Sequence, residues 1–223
     1  MVISRRQAQR GRLVVSDAAS LLTNPIIALD DDCRRIGVLA DTHIPHRMKA
    51  MPPRVYDLLR GCDVILHAGD LETPDILDAL RQIAPTYAVR GNLHWQFSTG
   101  THDQDLPLAL TFKIGRQVVW MTHGHISFAY SVVDKAKSIG ERRTLAQVNR
   151  ALIDRLRRMK PIDATVVVFG HSHLSCAVTI YGVLYFNPGA VTSSELQLSK
   201  ELPRIGFLNF DNDGNVTCEW EAL

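Results

Sequence analysis

Short apolar runs recur along this chain, and several of them stop at a carboxylate, an asparagine or a histidine. Residues 36–40 end at Asp41, residues 64–67 are followed by Gly69-Asp70, and residues 86–89 are followed by Gly91-Asn92. Runs of this length and composition are typical of buried parallel β-strands. Because the carboxyl ends of parallel strands meet at one edge of a sheet, we expect these polar residues to lie together.

The segments between these runs predict a layered α/β fold. Helical stretches begin near Pro52-Pro53 and Thr73-Pro74, and strand–helix alternation is typical of right-handed crossovers in a parallel sheet. Later in the chain, three hairpins are predicted over residues 108–122, 177–186 and 205–220, and an amphipathic helix over residues 145–159. We therefore predict a four-layer α-β-β-α sandwich, in which two mixed β-sheets pack face to face with helices on the outer faces.

The first 34 residues differ from the rest of the chain. Four arginines fall between positions 5 and 12, and no acidic residue comes before Asp17. The apolar run at residues 13–15 is too short for the core of a secretory signal. We interpret residues 1–34 as a flexible N-terminal extension and residues 35–223 as the functional domain.

Composition excludes several functional classes. With 46% hydrophobic and 22% charged residues, the 223-residue chain is expected to form a globular core. A net charge of +2 gives no reason to expect binding to nucleic acid or to a membrane surface. The four cysteines are widely spaced and form no CxxC pair, which favours free thiols and a cytoplasmic protein. A homo-oligomer is compatible with the sequence, although the sequence identifies no interface.

Histidines are concentrated at the ends of these runs. Seven of the nine lie inside or beside the polar fragments: His43, His67, His94, His123, His125, His171 and His173. Imidazole is the commonest neutral metal ligand, and mixed nitrogen and oxygen ligation suits Mn, Fe, Zn or Ni but disfavours calcium. Two divalent metals about 3.5–4 Å apart can bind phosphoryl oxygens and deliver a hydroxide for in-line attack. They require a shared carboxylate, for which Asp70 is the candidate.

These fragments resemble the motifs of the calcineurin-like metallophosphoesterases. The residues that carry the resemblance are Asp41-Thr42-His43, Gly69-Asp70, Gly91-Asn92, His123-Gly124-His125 and Gly170-His171-Ser172-His173. Asn187-Pro188-Gly189 and the compact length point to the small bacterial and archaeal phosphodiesterase branch. The resemblance extends from about Arg35 to the C-terminus.

The resemblance implies a dinuclear metal centre. One metal would be held by Asp41, His43, Asp70 and His173. The second would be held by Asp70, Asn92, His123 and His171. Manganese is the expected metal, with Ni, Zn, Fe or Mg as alternatives.

Other residues are expected beside these ligands. His125 and Arg90 would contact the phosphate or hydrogen-bond to the ligands, although an ion pair explains Arg90 equally well. Asn187 would support the loop that holds His171 and His173. Leu93 stands where many members of the wider family have a histidine, and we hypothesise that His94 protonates the leaving group instead. The alternative is that His94 is a solvent-facing loop residue beside Trp95.

We therefore predict a metal-dependent enzyme that hydrolyses phosphodiester bonds, or phosphomonoester bonds, by attack of a hydroxide bridging two metals. The substrate would be a small phosphoester, and Trp95 could stack on the base of a nucleotide. The alternative is a non-catalytic scaffold, as in a retromer subunit of similar fold. A structural metal site is disfavoured, because it would lack an open coordination position.

Overall fold

The computed structural model describes residues 26–91, 106–124, 145–192 and 201–223. These residues form eleven strands: β1 (Ile26–Ala28), β2 (Arg35–Leu39), β3 (Val64–His67), β4 (Thr86–Ala88), β5 (Ala109–Ile114), β6 (Gln117–Thr122), β7 (Val166–Val168), β8 (Cys176–Ile180), β9 (Val183–Asn187), β10 (Arg204–Phe210) and β11 (Val216–Ala222). They also form three helices: α1 (Pro53–Leu59), α2 (Asp75–Arg81) and α3 (Leu145–Met159).

The strands make two mixed sheets. One has five strands in the order β11-β10-β2-β3-β4, and the other has six in the order β1-β5-β6-β7-β9-β8. Strands β2, β3 and β4 run parallel, as do β6, β7 and β9, whereas the three hairpin pairs run antiparallel. The predicted combination of parallel crossovers and later hairpins is confirmed.

The facing surfaces of the two sheets enclose the central core. Side chains alternate along each strand, so Ile36 and Val38 of β2 point toward the other sheet and Leu39 points away. From the six-stranded sheet, β5, β6 and β7 contribute their own buried side chains, among them Phe112, Met121 and Val168. Burial of apolar area on this scale is the main stabilising contribution to such a fold.

Helices cover the outer faces of both sheets. Val55 and Leu59 of α1 pack with residues of α2 on the outer face of the five-stranded sheet. Helix α1 lies so close to β2 that a Cβ at Gly37 would be 2.4 Å from Cδ2 of Leu59. Leu152 and Leu156 of α3 pack on the opposite outer face of the molecule. The predicted four layers, α-β-β-α, are therefore present. None of the described helices combines the length and apolar character needed to cross a membrane.

Strand β1 lies within the segment that we interpreted as an extension. Ile26–Ala28 pair in parallel with β5, with Ile26 opposite Thr111 and Ala28 opposite Lys113. Residues 1–25 lie outside the described part of the chain. The domain boundary at residue 35 therefore stays a prediction, while these three residues add an edge strand to the six-stranded sheet.

Candidate metal centre

The polar residues that follow the strands lie in sharp left-handed turns. Asp41, His43, Asp70, His171 and His173 have φ angles of 54°, 49°, 59°, 71° and 59°. These five and Glu72 make up six of the seven non-glycine residues with positive φ in the described ranges. Such a conformation costs of the order of 1–3 kcal/mol per residue and persists only where the surroundings enforce it. The strain is concentrated at this one edge of the molecule.

Backbone hydrogen bonds hold the turns after β2 and β3 against each other. The amide of Asp41 donates to the carbonyl of Gly69, and the amide of His43 donates to the carbonyl of Asp70, both at 3.0 Å. The carboxyl ends of β2 and β3 are adjacent in the sheet, so both turns begin at the same level. This pairing places the carboxylates of Asp41 and Asp70 beside each other.

Gly91 leaves room for Asp70. A Cβ at Gly91 would lie 1.9 Å from Oδ1 of Asp70 and 2.2 Å from its backbone nitrogen. The backbone of the turn after β4 therefore approaches Asp70 more closely than any side chain would allow. The glycine of the Gly91-Asn92 fragment has a steric purpose at the site.

One group of ligand-type atoms comes from both sheets. Nε2 of His173 lies 3.3 Å from Nε2 of His43 and 3.4 Å from Oδ1 of Asp41. Donor atoms of Asp41, His43 and His173 all lie within 4.8 Å of one another, a spacing that one cation can span. Asp41 and His43 are fully buried, so a cation between them would be shielded from solvent.

A second group lies against the first. Asp41, Asp70 and His123 also bring donor atoms within 4.8 Å of one another. Oδ2 of Asp70 lies 3.4 Å from Nε2 of His123 and 3.6 Å from Nε2 of His43, between the imidazoles of the two groups. The ring of His171 stands edge-on to that of His123, with 5.2 Å between the ring centroids. Asp41 belongs to both groups, and Asp70 of the second group also lies close to His43 of the first.

The imidazoles present the same nitrogen to the site. Nδ1 of His123 donates to the carbonyl of Ala68 at 2.8 Å, and Nδ1 of His43 donates to Oε1 of Glu72 at 2.8 Å. A carbonyl and a carboxylate only accept, so both rings carry their proton on Nδ1. Each Nε2 is therefore directed toward the carboxylates, as in a metal ligand whose tautomer is fixed by an outer hydrogen bond.

The buried carboxylates of the site carry negative charge that a cation would neutralise. Burial raises the pKa of Asp41 to about 6, against the attraction of His123. Burial alone would lower the pKa of His123, but Asp70 beside it, through charge and a hydrogen bond, raises that pKa to about 9. A proton thus compensates part of the negative charge. A divalent metal would take the place of that proton.

Oδ1 of Asp41 supports the same interpretation. Within the described part of the chain this buried oxygen accepts no hydrogen bond, although its partner Oδ2 accepts one from the amide of His171 at 3.1 Å. Buried polar atoms rarely stay without a partner, because leaving one unpaired costs free energy. The residues present therefore fit a divalent metal.

Behind the site, a buried hydrogen-bond chain fixes Asp70. The amide of Gly69 donates to Nδ1 of His67 at 3.3 Å, so the proton of this ring is on Nε2. Nε2 then donates to Oγ1 of Thr42 at 3.3 Å, and this hydroxyl donates to the carbonyl of Asp70 at 3.2 Å. Burial lowers the pKa of His67 to about 3, so the ring is neutral at physiological pH.

The remaining predicted residues divide into two sets. Asn187 donates from Nδ2 to the carbonyl of Gly170 and to Oγ of Ser172, both at 3.0 Å, and so contacts the loop that carries His171 and His173. Arg90 is half-buried, and its amide donates to the carbonyl of Pro107 at 2.9 Å. Asn92, His94 and His125 lie outside the described residues.

Glu72 and Thr192 belong to the site and escaped the sequence analysis. Glu72 contacts His43, and the hydroxyl of Thr192 donates to the carbonyl of Asp41 at 3.1 Å. Glu72 stands two residues after Asp70, and that proximity is the single signal in the sequence that could have drawn attention to it. Thr192 carries no comparable signal, because its contact spans 151 positions.

Comparisons with known proteins identify a family for this chain. The family model described as the calcineurin-like phosphoesterase superfamily domain matches residues 35–211. A probable metallophosphoesterase of Methanothermobacter thermautotrophicus is 31% identical over 161 residues, which are 72% of this chain and 79% of that protein. A second, from Methanocaldococcus jannaschii, is 26% identical over 157 residues, 70% of this chain and 68% of that protein.

Among solved structures, similar folds occur in Vps29 proteins. Wild-type Vps29 of Entamoeba histolytica complexed with zinc is 24% identical and has a TM-score of 0.57, with 84% of this chain and 98% of that chain covered. Vps29 of Cryptosporidium parvum is 18% identical with a TM-score of 0.57, covering 85% of this chain and 98% of that chain. At these identities the likeness concerns the fold.

We expect Gly91→Ala to weaken metal binding by at least about 10-fold, because the new Cβ must displace Asp70, and even outer partners of ligands contribute 10–100-fold. Isothermal titration of chelator-treated protein with Mn²⁺ measures the change. Gly115→Ala is the control, because Gly115 has a positive φ of 52° but no atom within 4 Å of its added Cβ. Unchanged affinity in Gly91→Ala would contradict the steric role.

We also expect His67 to contribute less to the stability of the metal-free protein as the pH falls below 6.5. The pKa of His67 is depressed from 6.5 to about 3 by burial, so the unfolded chain binds a proton that the folded chain does not. The stabilisation is complete above pH 6.5 and is lost toward pH 3, at up to about 1.4 kcal/mol per pH unit.

His67→Phe, which cannot be protonated, isolates this effect. The difference in unfolding free energy between wild type and variant, measured in urea with chelator at pH 7.5 and 5.5, should narrow at the lower pH. Thr42→Val is the control: it removes a partner of His67 but keeps the imidazole, and so keeps the pH dependence. A pH-independent difference for His67→Phe would refute the assignment.

Proposed function

The chain belongs to the calcineurin-like phosphoesterase superfamily, and on that premise we propose that it hydrolyses phosphodiester bonds of a small substrate with two divalent metals. Membership of this family supports a metal-binding hydrolase that acts on phosphoesters. We also propose that the protein prefers diesters, uses manganese, lies in the cytoplasm and forms a homo-oligomer. A nucleotide is the proposed substrate.

One observation carries the proposal. Two groups of three donor residues lie side by side, with Asp41 in both and Oδ2 of Asp70 less than 4 Å from an imidazole of each. A structural metal site is closed by four ligands around one ion. Overlapping groups with carboxylates between them favour two ions instead.

For the two metals we propose the ligand sets that the resemblance to the family implies, with Asp70 shared between them. Asp41, His43, Asp70 and His173 would hold one metal. Asp70, Asn92, His123 and His171 would hold the other. When bound, such a pair of divalent metals supplies Lewis-acid activation of the phosphoryl group and a nucleophile from water at neutral pH.

The protein's own residues prepare the site for that chemistry. Glu72 and the carbonyl of Ala68 accept hydrogen bonds from Nδ1 of His43 and His123, so Nε2 of each ring is the atom directed toward the metal site. Arg47 is exposed, and its Nη1 lies 3.4 Å from Nδ1 of His173. Its guanidinium places a positive charge beside the site, which favours a phosphate group as the substrate's binding element.

Residues around the centre would complete the reaction. His94 would protonate the departing alkoxide, and His125 and Arg90 would contact the phosphate. Asn187 would keep the loop of His171 and His173 in place through its two hydrogen bonds. A non-catalytic binding module is the alternative, and the likeness in fold to Vps29 proteins is compatible with it.

The proposed activity is tested by a matrix of metals and substrates. Protein stripped with chelator is reloaded with Mn, Ni, Zn, Fe or Mg and offered bis-p-nitrophenyl phosphate, p-nitrophenyl phosphate and cyclic nucleotides. We expect turnover of the diester and a loss of kcat/KM in Asp70→Asn greater than the 10–100-fold typical of residues outside the ligand set. Asp213→Asn, an exposed change in the β10–β11 turn, is the control. Bound metal without any turnover would favour the binding module.

The role of His94 is tested through the leaving group. Without a general acid, esters with poor leaving groups should slow more than activated ones. We expect His94→Ala to reduce turnover of a phenyl diester about 100-fold or more, within the 10²–10⁴-fold range of general acid catalysis, and to affect a p-nitrophenyl diester less. Equal losses on both esters, or none, would reject the hypothesis.

A further inference from the structure

A buried carboxylate links the proposed metal centre to a histidine at the surface. The side chain of Glu72 is 4% exposed, and its Oε1 accepts a hydrogen bond from Nδ1 of His43 at 2.8 Å. Its Oε2 accepts one from Nδ1 of His46, whose side chain is 38% exposed. Both oxygens of one carboxylate are thus held by imidazoles on the same turn.

This contact decides which nitrogen of His43 faces the carboxylates. An ionised carboxylate has no proton to give, so the ring must donate from Nδ1 and leave Nε2 without a proton. Nε2 is the atom that lies 3.6 Å from Oδ2 of Asp70 and 3.3 Å from Nε2 of His173. Loss of Glu72 would free the ring to rotate or to carry its proton on Nε2.

The backbone conformation at Glu72 indicates that the glutamate side chain has a specific role. Its φ is 75°, a left-handed conformation that glycine adopts freely and glutamate does not. A residue chosen for backbone stability alone would be glycine or asparagine. Glycine has no side chain, and that of asparagine is one methylene shorter than that of glutamate. We therefore attribute the choice of glutamate at this strained position to its contact with His43.

We propose that Glu72 is a positioning residue of the metal centre: its carboxylate holds His43 with Nε2 toward the metal, and His46 anchors that carboxylate from the solvent side. This role depends on the proposed function in one respect, because it requires a metal bound by His43. The role differs from that of Ala68, whose backbone carbonyl orients His123 and cannot be changed by substitution.

The first test needs no metal. The ¹⁵N chemical shifts of the histidine rings report the tautomer, and His43→Gln identifies the signals of His43. In the wild type, His43 should carry its proton on Nδ1, and this should persist in Glu72→Gln, whose amide oxygen can still accept. In Glu72→Leu the ring should shift toward the Nε2–H form that imidazole prefers in water. A wild-type ring protonated on Nε2 would overturn the proposal.

The second test compares metal affinity with stability. By titration with Mn²⁺ or Zn²⁺, we expect affinity to fall about 10–100-fold in Glu72→Leu and Glu72→Gly, and less in Glu72→Gln. Glu72→Gly relaxes the backbone, so its loss of affinity should come without the loss of stability in urea that a structural role would cause. Affinity equal to wild type in both Glu72→Leu and Glu72→Gly would overturn the proposal.

Two further variants complete the design. Asp75→Asn removes the same charge three residues later, on an exposed side chain, and should leave the affinity unchanged. His46→Ala should reduce affinity less than Glu72→Leu, because the bond to His43 remains. An equal loss of affinity in Asp75→Asn would attribute the effect to net charge and overturn the proposal.

The outcomes also separate this inference from the proposed function. Metal binding that depends on Glu72, in a protein that hydrolyses no phosphoester, would sustain the inference and reject the function. Hydrolysis and metal affinity that both tolerate Glu72→Leu would reject the inference and sustain the function. A wild type that binds none of the metals would reject both.

Discussion

Two backbone hydrogen bonds, between Asp41 and Gly69 and between His43 and Asp70, are the constraint on which the whole site depends. They join the left-handed turns that end two adjacent parallel strands, and so bring two carboxylates together in a buried place. Burying a charged carboxylate costs free energy unless it is paired. Because the turns are part of the backbone, the carboxylates cannot move apart to relieve their repulsion. Imidazoles from the other sheet then complete the arrangement.

The sandwich explains why donors from distant positions meet. Strands β6 and β7 run parallel in the six-stranded sheet, so the residues that follow them, His123 and His171, emerge at one level. The two sheets face each other across a packed apolar core, which sets their separation. A core of this kind holds the strained turns in place, so the site is preorganised. The stability of the surrounding layers offsets the conformational strain of these turns.

Much of this could be predicted from the sequence. Strands β2 and β3 are short apolar runs and helix α3 has helical periodicity, and the rule for parallel strand ends places Asp41 and Asp70 at one edge of the same sheet. Strand β1 was missed because three residues carry too little pattern and pair with a strand more than 80 positions away. The contact of Glu72 with His43 was missed because it depends on positive φ angles at both residues, which no periodicity encodes. Membership of Asp41 in both donor groups depends on side-chain positions at ångström scale.

The edge strand β1 also has a bearing on how this protein is handled. The family match begins at residue 35, so a chain trimmed to that range would lack Ile26–Ala28 and the bond from the amide of Leu29 to the carbonyl of Lys113. The free flank of β5 would then offer unpaired main-chain groups to another copy, the usual origin of edge-to-edge aggregation. We therefore expect Ile26–Ala28, which lie outside the matched range, to keep the flank of β5 from pairing with another copy.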